Sequence, residues 1–340
     1  MRVRCGSFAW FVAGSISACL AQSGQAASEG TWALPIAVSV RDAGIAAPTK
    51  NAASNQPPGK GAAKTQPGSP QSDDAVLVGA GDIATCGELA GAEATAELID
   101  RVPGTVFAVG DLAYPDGSDE QFANCYGPTW GRFKERTRPA PGNHEYHSSG
   151  ASGYVRYFGA AAGDPAKRYY SYDLGAWHIV VLNSECEMVG GCHAASAQVQ
   201  WLRQDLAQHT ATCTLAYFHK PLFSSGAAHG NDPMMKPLWQ ALYDAGADVV
   251  IGGHDHHYER FAPQDPEGRA DARRGIREFV VGTGGKTTHR LLAAPQPNSE
   301  ARNADTFGVL KLILHPNSYE WSFLPEAGKT FTDSGHGTCH

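Results

Sequence analysis

Apolar residues in this chain come in short runs that give way abruptly to glycine or a polar side chain. The runs are Ala75 to Ala80, Thr105 to Val109, Thr214 to Phe218, Val249 to Ile251 and Phe279 to Val281. Short continuous runs rich in valine predict buried strands. Helical spacing fills much of the rest. A helix is predicted from Glu88 to Arg101, and an aromatic-rich helical region from about Asp119 to Glu135. Ser196 caps a helix whose Val199, Leu202 and Leu206 share one face. Asp232-Pro233 reads as a cap with proline at the first helical position, and that helix stops at Gly246. Tyr169 to Asp173 and Trp177 to Leu182 pair across the Gly175 turn, and Val309 to Leu314 with Tyr319 to Phe323 form a C-terminal hairpin. Strands alternate with helices and are then followed by strands alone, which predicts one layered α/β domain over residues 75–340 with some antiparallel edges.

The first 74 residues read differently. Arg2 and Arg4 precede an apolar stretch from Phe8 to Leu20, which is too short to span a membrane and ends in small residues. This predicts an export signal over residues 1–21. Two outcomes stay open. The tetrapeptide Ile16-Ser17-Ala18-Cys19 resembles a bacterial lipobox, which would make Cys19 a lipid anchor; the alternative is plain secretion or a periplasmic protein, cut after Ala21 or near Ala26-Ala27. Residues 22–74, rich in Ala, Pro, Gly, Gln and Ser, predict a disordered spacer, with Trp32 to Val40 the one stretch able to make a short strand.

Composition narrows the function classes. The net charge is −7, and no basic face points to nucleic acid. Of eight cysteines, six lie in the body: Cys86, Cys125, Cys186, Cys192, Cys213 and Cys339. An even number in an exported chain predicts disulfides, with buried free thiols as the ordinary alternative. Cys186 and Cys192 bracket a short loop and are the first pair expected; Cys86 with Cys125 and Cys213 with Cys339 would follow. No C-x-x-C spacing for a zinc ribbon occurs.

The chemistry sits where the apolar runs stop. Asp82, Asp111 with Tyr114, Asn143 with His144, His219, and the pair His254 and His256 all follow predicted strands or the Pro139-Ala140-Pro141 segment. Ligands of open α/β sheets bind beyond the carboxyl ends of strands. If the segment after Gly252-Gly253 is extended, His254 and His256 point the same way. Carboxylates, a carboxamide and imidazoles without thiolates suit iron, zinc or manganese. Taken singly, each residue has a plain reading as a turn, a cap or a structural histidine; their order along the chain argues for a joint role.

The blocks Gly81-Asp82-Ile83-Ala84, Gly110-Asp111, Gly142-Asn143-His144-Glu145, His219 and Gly253-His254-Asp255-His256 resemble the calcineurin-like metallophosphoesterases over about residues 75–290. Ala84 stands where that family usually has a histidine, and Tyr114 follows Asp111 by three residues. With Gly253-His254-Asp255-His256-His257-Tyr258-Glu259-Arg260, this swap resembles the purple acid phosphatases. The resemblance implies a four-layer α/β/β/α sandwich of two mixed sheets with flanking helices. It also implies two metal ions. Asp82, Asp111, Tyr114 and His256 would hold Fe(III) at the first site; Asp111, Asn143, His219 and His254 would hold Fe, Zn or Mn at the second, with Asp111 bridging. The reading for Tyr114 has independent support, since a phenol ionises near pH 10 unless a strong Lewis acid holds it; its alternative is a packed aromatic.

The expected reaction is hydrolysis of small phosphate monoesters by in-line attack of metal-bound hydroxide. His144 would donate a proton to the leaving oxygen. His229, in the loop after His219, is either a second phosphate-facing histidine or an ordinary loop residue. His257 is expected behind the ligands, and His147, His178, His193, His209, His289, His315, His336 and His340 carry no argument beyond surface or core. Two rival readings are a phosphodiesterase or nucleotidase using the same site, with the loops Cys186 to Cys192 and Ser224 to Asp232 deciding, and a non-catalytic surface-binding lipoprotein. Gly282 to Gly285 lacks the Lys-Ser/Thr of a phosphate loop and reads as a tight turn near the metals. The oligomeric state is not legible in the sequence.

Overall fold

Every one of the five apolar runs is a strand, and the strands assemble into two sheets. A computed structural model describes residues 74–340. The expected export signal, Cys19, the spacer and the stretch Trp32–Val40 lie outside the described residues. Among the described residues no helix is long and apolar enough to cross a membrane.

The first sheet runs, in spatial order, Ser334–Thr338, Ser318–Pro325, Gly308–His315, Ala75–Ala80, Thr105–Val109, Thr137–Ala140. The second runs Ser299–Asn303, Tyr258–Phe261, Arg277–Val281, Val249–Gly252, Cys213–Tyr217, Trp177–Val181, Tyr170–Leu174. In the first, the parallel strands Ala75–Ala80, Thr105–Val109 and Thr137–Ala140 form one side and antiparallel strands the other; in the second, a parallel ladder from Trp177–Val181 to Arg277–Val281 has antiparallel strands on both sides.

The sheets pack face to face. Phe107 meets Tyr217, Phe279 meets Trp321 and Tyr258 meets Phe323, with ring centroids 5.9, 5.7 and 4.5 Å apart. Strand alternation divides the side chains. Trp177, Ile179 and Val181 enter the core between the sheets. Val180 faces outward, into a second cluster with Val199 and Leu202 of helix Ala197–Gln208 and Leu238 and Trp239 of helix Lys236–Asp244. Helix Ala90–Asp100 packs on the first sheet through Ala92, Ala96 and Ile99. The result is the expected four-layer α/β/β/α sandwich. Cys86–Cys125, Cys186–Cys192 and Cys213–Cys339 are bonded, as paired above.

Four strands of the two large sheets were not expected, and three of them are sheet edges. Thr137–Ala140 contains Pro139, which an edge tolerates because one side of the strand needs no N–H. Ser299–Asn303 and Ser334–Thr338 lack an apolar pattern because each pairs on one side only. Tyr258–Phe261, in the interior, alternates too briefly to register. The aromatic helical region divides into Asp119–Gln121, a π-turn at Phe122–Tyr126 and a 3-10 segment at Trp130–Arg136. Pro128, which has no N–H to donate, lies at the break.

His178 illustrates a buried histidine explained by the fold. Its Nδ1 lies 3.0 Å from Asp173 Oδ1 and its Nε2 2.8 Å from Asp205 Oδ2. Burial works against the imidazolium, but Asp205 and Asp173 outweigh it and raise the His178 pKa; burial raises Asp205, and His178 with Ser171 outweigh that and lower it. The raised histidine contributes stability below its unfolded value, lost as pH rises through the folded one. The lowered aspartate contributes above its unfolded value, lost as pH falls. Stabilisation is therefore largest between about pH 4 and 6.5. Asp205→Asn should cost more stability at pH 5 than at pH 9, by on the order of 1 kcal/mol, read from urea midpoints at the two pH values.

Candidate metal centre

The carboxyl ends of the parallel strands from both sheets meet along one edge of the sandwich, and the polar residues of the sequence converge there. Asp82 follows Ala75–Ala80, Asp111 follows Thr105–Val109, and Asn143 follows Thr137–Ala140. His219 follows Cys213–Tyr217 and His254 follows Val249–Gly252. The loops are tied together: Gly81 N donates to Val281 O across the sheets (2.9 Å), and Asp82 N to Gly110 O (3.0 Å) and Gly253 N to His219 O (2.8 Å) join loops within each sheet. Tyr114 arrives on the two-residue strand Ala113–Tyr114, parallel to Ala84–Thr85.

The backbone is forced at three of these positions. Asp82, Asp111 and His254 have φ of 60°, 53° and 68°. A non-glycine residue in the left-handed region is uncommon, and such conformations cluster at functional sites. At His254 the reason is local. Asp255 N bonds to Gly253 O at 2.8 Å and His257 N to Asp255 O at 2.7 Å. The segment is therefore two successive three-residue turns rather than the extended strand expected from the sequence. Both imidazoles still face the site. Gly253 is required beside them, because a Cβ there would meet Asp82 Oδ2 at 2.7 Å.

Two groups of contacts share Asp111. Tyr114 Oη donates to Asp82 Oδ1 at 2.9 Å, lies 3.2 Å from Asp111 Oδ2, and lies 3.2 Å from His256 Nε2. On the other side, His219 Nε2 lies 3.1 Å from Asp111 Oδ2 and 3.1 Å from His254 Nδ1. One oxygen of Asp111 thus faces both groups. Asp82, Asp111, Tyr114, His219 and His256 are buried.

The donor set fits bound cations on three observations. Asn143 Oδ1 is buried and has no hydrogen-bond partner. His219 Nδ1 faces Val109 O at 2.9 Å and His256 Nδ1 faces Thr287 O at 2.6 Å. A carbonyl only accepts, so the proton of each neutral imidazole is on Nδ1 and the Nε2 lone pair faces the site. In the neutral rings these lone pairs face the Asp111 and Asp82 oxygens, so each contact needs either a proton on Nε2 or a bound cation in that proton's place. The three ligand atoms of Asp111, His219 and His254 lie within 4.8 Å of one another.

The site's electrostatics are strongly perturbed. Burial pushes the Asp82 and Asp111 carboxyls up, but the imidazoles of His256 and His219 at Asp82, and of His219 and His144 at Asp111, hold both below the usual range. Burial, Asp111 and Asp82 drive the Tyr114 phenol well above its ordinary value. Burial works against a charged His219, yet Asp111 brings it to about 10; burial and the neighbouring His219 depress His254 to about 3.

Four residues beyond the sequence reading complete the site. Glu145, buried, accepts from Asp111 N, Leu112 N and Gly142 N at 2.8 Å each, clamping the loops that carry Asp111 and Asn143. Burial and the Asp111 charge push its carboxyl up to about 7 against the pull of those N–H groups. It is the last letter of the Gly142–Glu145 block, which was its only signal. Glu145→Gln turns an NH2 toward backbone donors; we expect a loss of about 10- to 100-fold in metal affinity, measured by titration of the stripped protein. Asp255 points away from the two histidines around it and accepts from Ser224 Oγ (2.6 Å), Gly230 N (2.9 Å) and His229 N (3.2 Å), which fixes the His229 loop. Lys286 and His289 come from the segment after Gly282–Gly285, a turn braced on the Asp82 loop by Gly284 N to Gly81 O and Lys286 N to Asp82 O (2.8 and 2.9 Å).

A cavity of about 410 Å³ opens over these groups, lined by Asp111, Tyr114, Asn143, His144, His229, His254 and His256 together with Thr85, Pro115, Lys286 and His289. His144 Nδ1 lies 2.6 Å from Pro115 O, and His144 N donates to Asp111 Oδ1 at 2.9 Å. The Ser224–Asp232 loop reaches the cavity through His229. The Cys186–Cys192 loop, expected to shape the substrate site, does not: it lines two separate surface pockets of about 250 and 290 Å³. His257 lies behind the site, its Nε2 3.2 Å from Glu259 Oε2.

Known proteins share this architecture. The Arabidopsis thaliana purple acid phosphatase 21 is 29% identical over 273 residues, covering 71% of this chain and 59% of its own length. The chain thus spans about three fifths of that relative. Among solved structures, a purple acid phosphatase from yellow lupin (Lupinus luteus) seeds superposes with a TM-score of 0.64 at 20% identity, over 79% of this chain and 54% of that one. GAP50, the anchor in the inner membrane complex of Plasmodium, superposes at 0.60 with 13% identity, over 78% and 89%. The calcineurin-like phosphoesterase family model matches residues 69–258, more than half of the chain. The chain therefore belongs to the calcineurin-like phosphoesterase family, in its purple acid phosphatase-like branch.

Proposed function

We propose that the protein is a phosphatase that hydrolyses phosphate monoesters with two metal ions. Fe(III) would be held by Asp82, Asp111, Tyr114 and His256, and Fe, Zn or Mn by Asp111, Asn143, His219 and His254. The observation that carries this reading is Asp111 Oδ2, 3.2 Å from Tyr114 Oη and 3.1 Å from His219 Nε2, the place of a bridging ligand between two donor groups. Bound ions would supply a hydroxide nucleophile at working pH and Lewis-acid stabilisation of the phosphoryl charge. Tyr114 supports a strongly acidic first ion, since its buried phenol lies beside two carboxylates and resists ionisation without one.

The chain's own residues do the rest. Pro115 O fixes the Nδ1–H of His144, so Nε2 faces the cavity, 3.8 Å from Asp111 Oδ2. Protonated there, it hands a proton to the oxygen leaving phosphorus. His229, stacked on His254 with centroids 3.9 Å apart, faces the phosphoryl group from the other wall. The likeness to purple acid phosphatases favours a monoester substrate, and the six-cysteine disulfide set favours an oxidising, exported setting.

The test is hydrolysis by the metal-loaded protein of p-nitrophenyl phosphate against bis(p-nitrophenyl) phosphate. Faster turnover of the monoester is expected. Preference for the diester would move the assignment to a phosphodiesterase, and turnover of neither would leave the non-catalytic binding reading.

A further inference from the structure

His289 is the one histidine of the cavity wall that the sequence places with no role. It lies 33 residues beyond His256 in the chain, yet the two rings are stacked, with centroids 3.7 Å apart and planes 13° from parallel. Two hydrogen bonds lock the pair: His256 N donates to His289 Nδ1 at 3.2 Å, and His289 N donates to His256 O at 2.9 Å. The first bond decides the tautomer. Nδ1 accepts, so it carries no proton, and the ring proton is on Nε2. The Asp255 carboxylate lies 3.7 Å from Nδ1, farther than His256 N at 3.2 Å, so the His256 contact sets the tautomer. Nε2–H is then a donor with no protein partner among the described residues, on a side chain that lines the cavity.

A rigid, oriented N–H without a partner, on the wall of the cavity proposed above to hold the phosphate ester, calls for an acceptor from the ligand. We propose that His289 is a substrate-contacting residue, whose Nε2–H holds a phosphoryl oxygen of the bound ester. Besides His144 the cavity then presents two imidazoles, His289 stacked on His256 and His229 stacked on His254, with the His229 and His289 ring centroids 5.4 Å apart. Each is aimed by stacking on a residue that would hold a metal. Inorganic phosphate, the product, is held by the same donor. This inference rests on the phosphatase reading above.

Two variants separate the donor from the buttress. His289→Asn keeps an acceptor near the Nδ1 position for His256 N and removes the Nε2 donor. His289→Gln places a donor near the Nε2 position and gives up the Nδ1 acceptor. The measurements are metal content, KM for p-nitrophenyl phosphate and the competitive inhibition constant of inorganic phosphate. A hydrogen bond to a charged group predicts that His289→Asn raises both constants about tenfold or more at unchanged metal content, with His289→Gln closer to the parent. The reverse order, His289→Asn like the parent and His289→Gln short of metal, would make His289 a support for His256 and overturn the proposal. Equal phosphate affinity in all three proteins would overturn it as well. A parent protein that turns over no phosphate ester would instead overturn the phosphatase reading, and this inference with it.

Discussion

Asp111→Asn is expected to lower turnover by about three orders of magnitude or more, since bridging charge and the Lewis acidity it secures are worth several kcal/mol. The fold should survive. Asn retains an oxygen to accept from His144 N, now at 2.9 Å from Oδ1, and the site loops remain clamped by Glu145. Without metal, however, Asp111 is the main partner of the buried His219 imidazolium, 3.1 Å away, so its loss costs the stripped protein stability. The expected pattern is specific: the stripped variant melts below the stripped parent, and added metal raises the melting temperature of the parent and not of the variant. A variant that binds both ions and retains a tenth of the activity would remove Asp111 from the bridging position.

The second large effect belongs to His144 and depends on the leaving group. General acid catalysis contributes about 10²- to 10⁴-fold. His144→Asn should therefore lower kcat for an alkyl phosphate by about 10²-fold or more. For p-nitrophenyl phosphate, whose phenolate leaves without a proton, the loss should stay below about tenfold. Metal content should not change, because His144 contributes no side-chain atom to either donor group. Equal losses on both substrates would reassign His144 to binding rather than proton donation, and its 4.4 Å packing on the Tyr114 ring makes that alternative concrete.

The fold by itself does not decide among these outcomes. The superposition on GAP50, an anchor, is nearly as close as that on the lupin phosphatase, at TM-scores of 0.60 and 0.64. Function has to be argued from the side chains at the sheet edge. Their convergence is the case for the proposed phosphatase: orphaned Asn143 Oδ1, Nε2 of His219 and His256 turned inward, and left-handed backbones at Asp82, Asp111 and His254.

Most of that donor set was legible in the sequence because it is local. Asp82, Asp111, Asn143, His219 and His254 each sit within a few residues of a strand's carboxyl end, and continuous apolar runs mark those ends. Tyr114 was singled out by the resemblance to purple acid phosphatases, three residues after Asp111. The residues that orient the donors were not. Glu145 acts by accepting backbone N–H groups of a loop 33 residues away, and nothing in composition or period encodes that. Asp255 looks like the spacer between two histidines until the turn at His254 shows that it faces the other way. His289 reaches the site only because Arg277–Val281 lies parallel to Val249–Gly252 and delivers the following turn to the same edge. The polar edge strands Ser299–Asn303 and Ser334–Thr338 were missed for a related reason: tertiary pairing, and not an apolar pattern, makes them strands.

The most direct test of the account is a visible absorption spectrum of the purified protein, with metal analysis of the same sample and the same pair of measurements on Tyr114→Phe. The account predicts two ions per chain, iron among them, and a tyrosinate-to-ferric band that is absent from the variant. A band that persists in Tyr114→Phe would contradict Tyr114 as the ligand of a ferric ion, and a protein that takes up no metal even after reconstitution would contradict the dimetal site altogether.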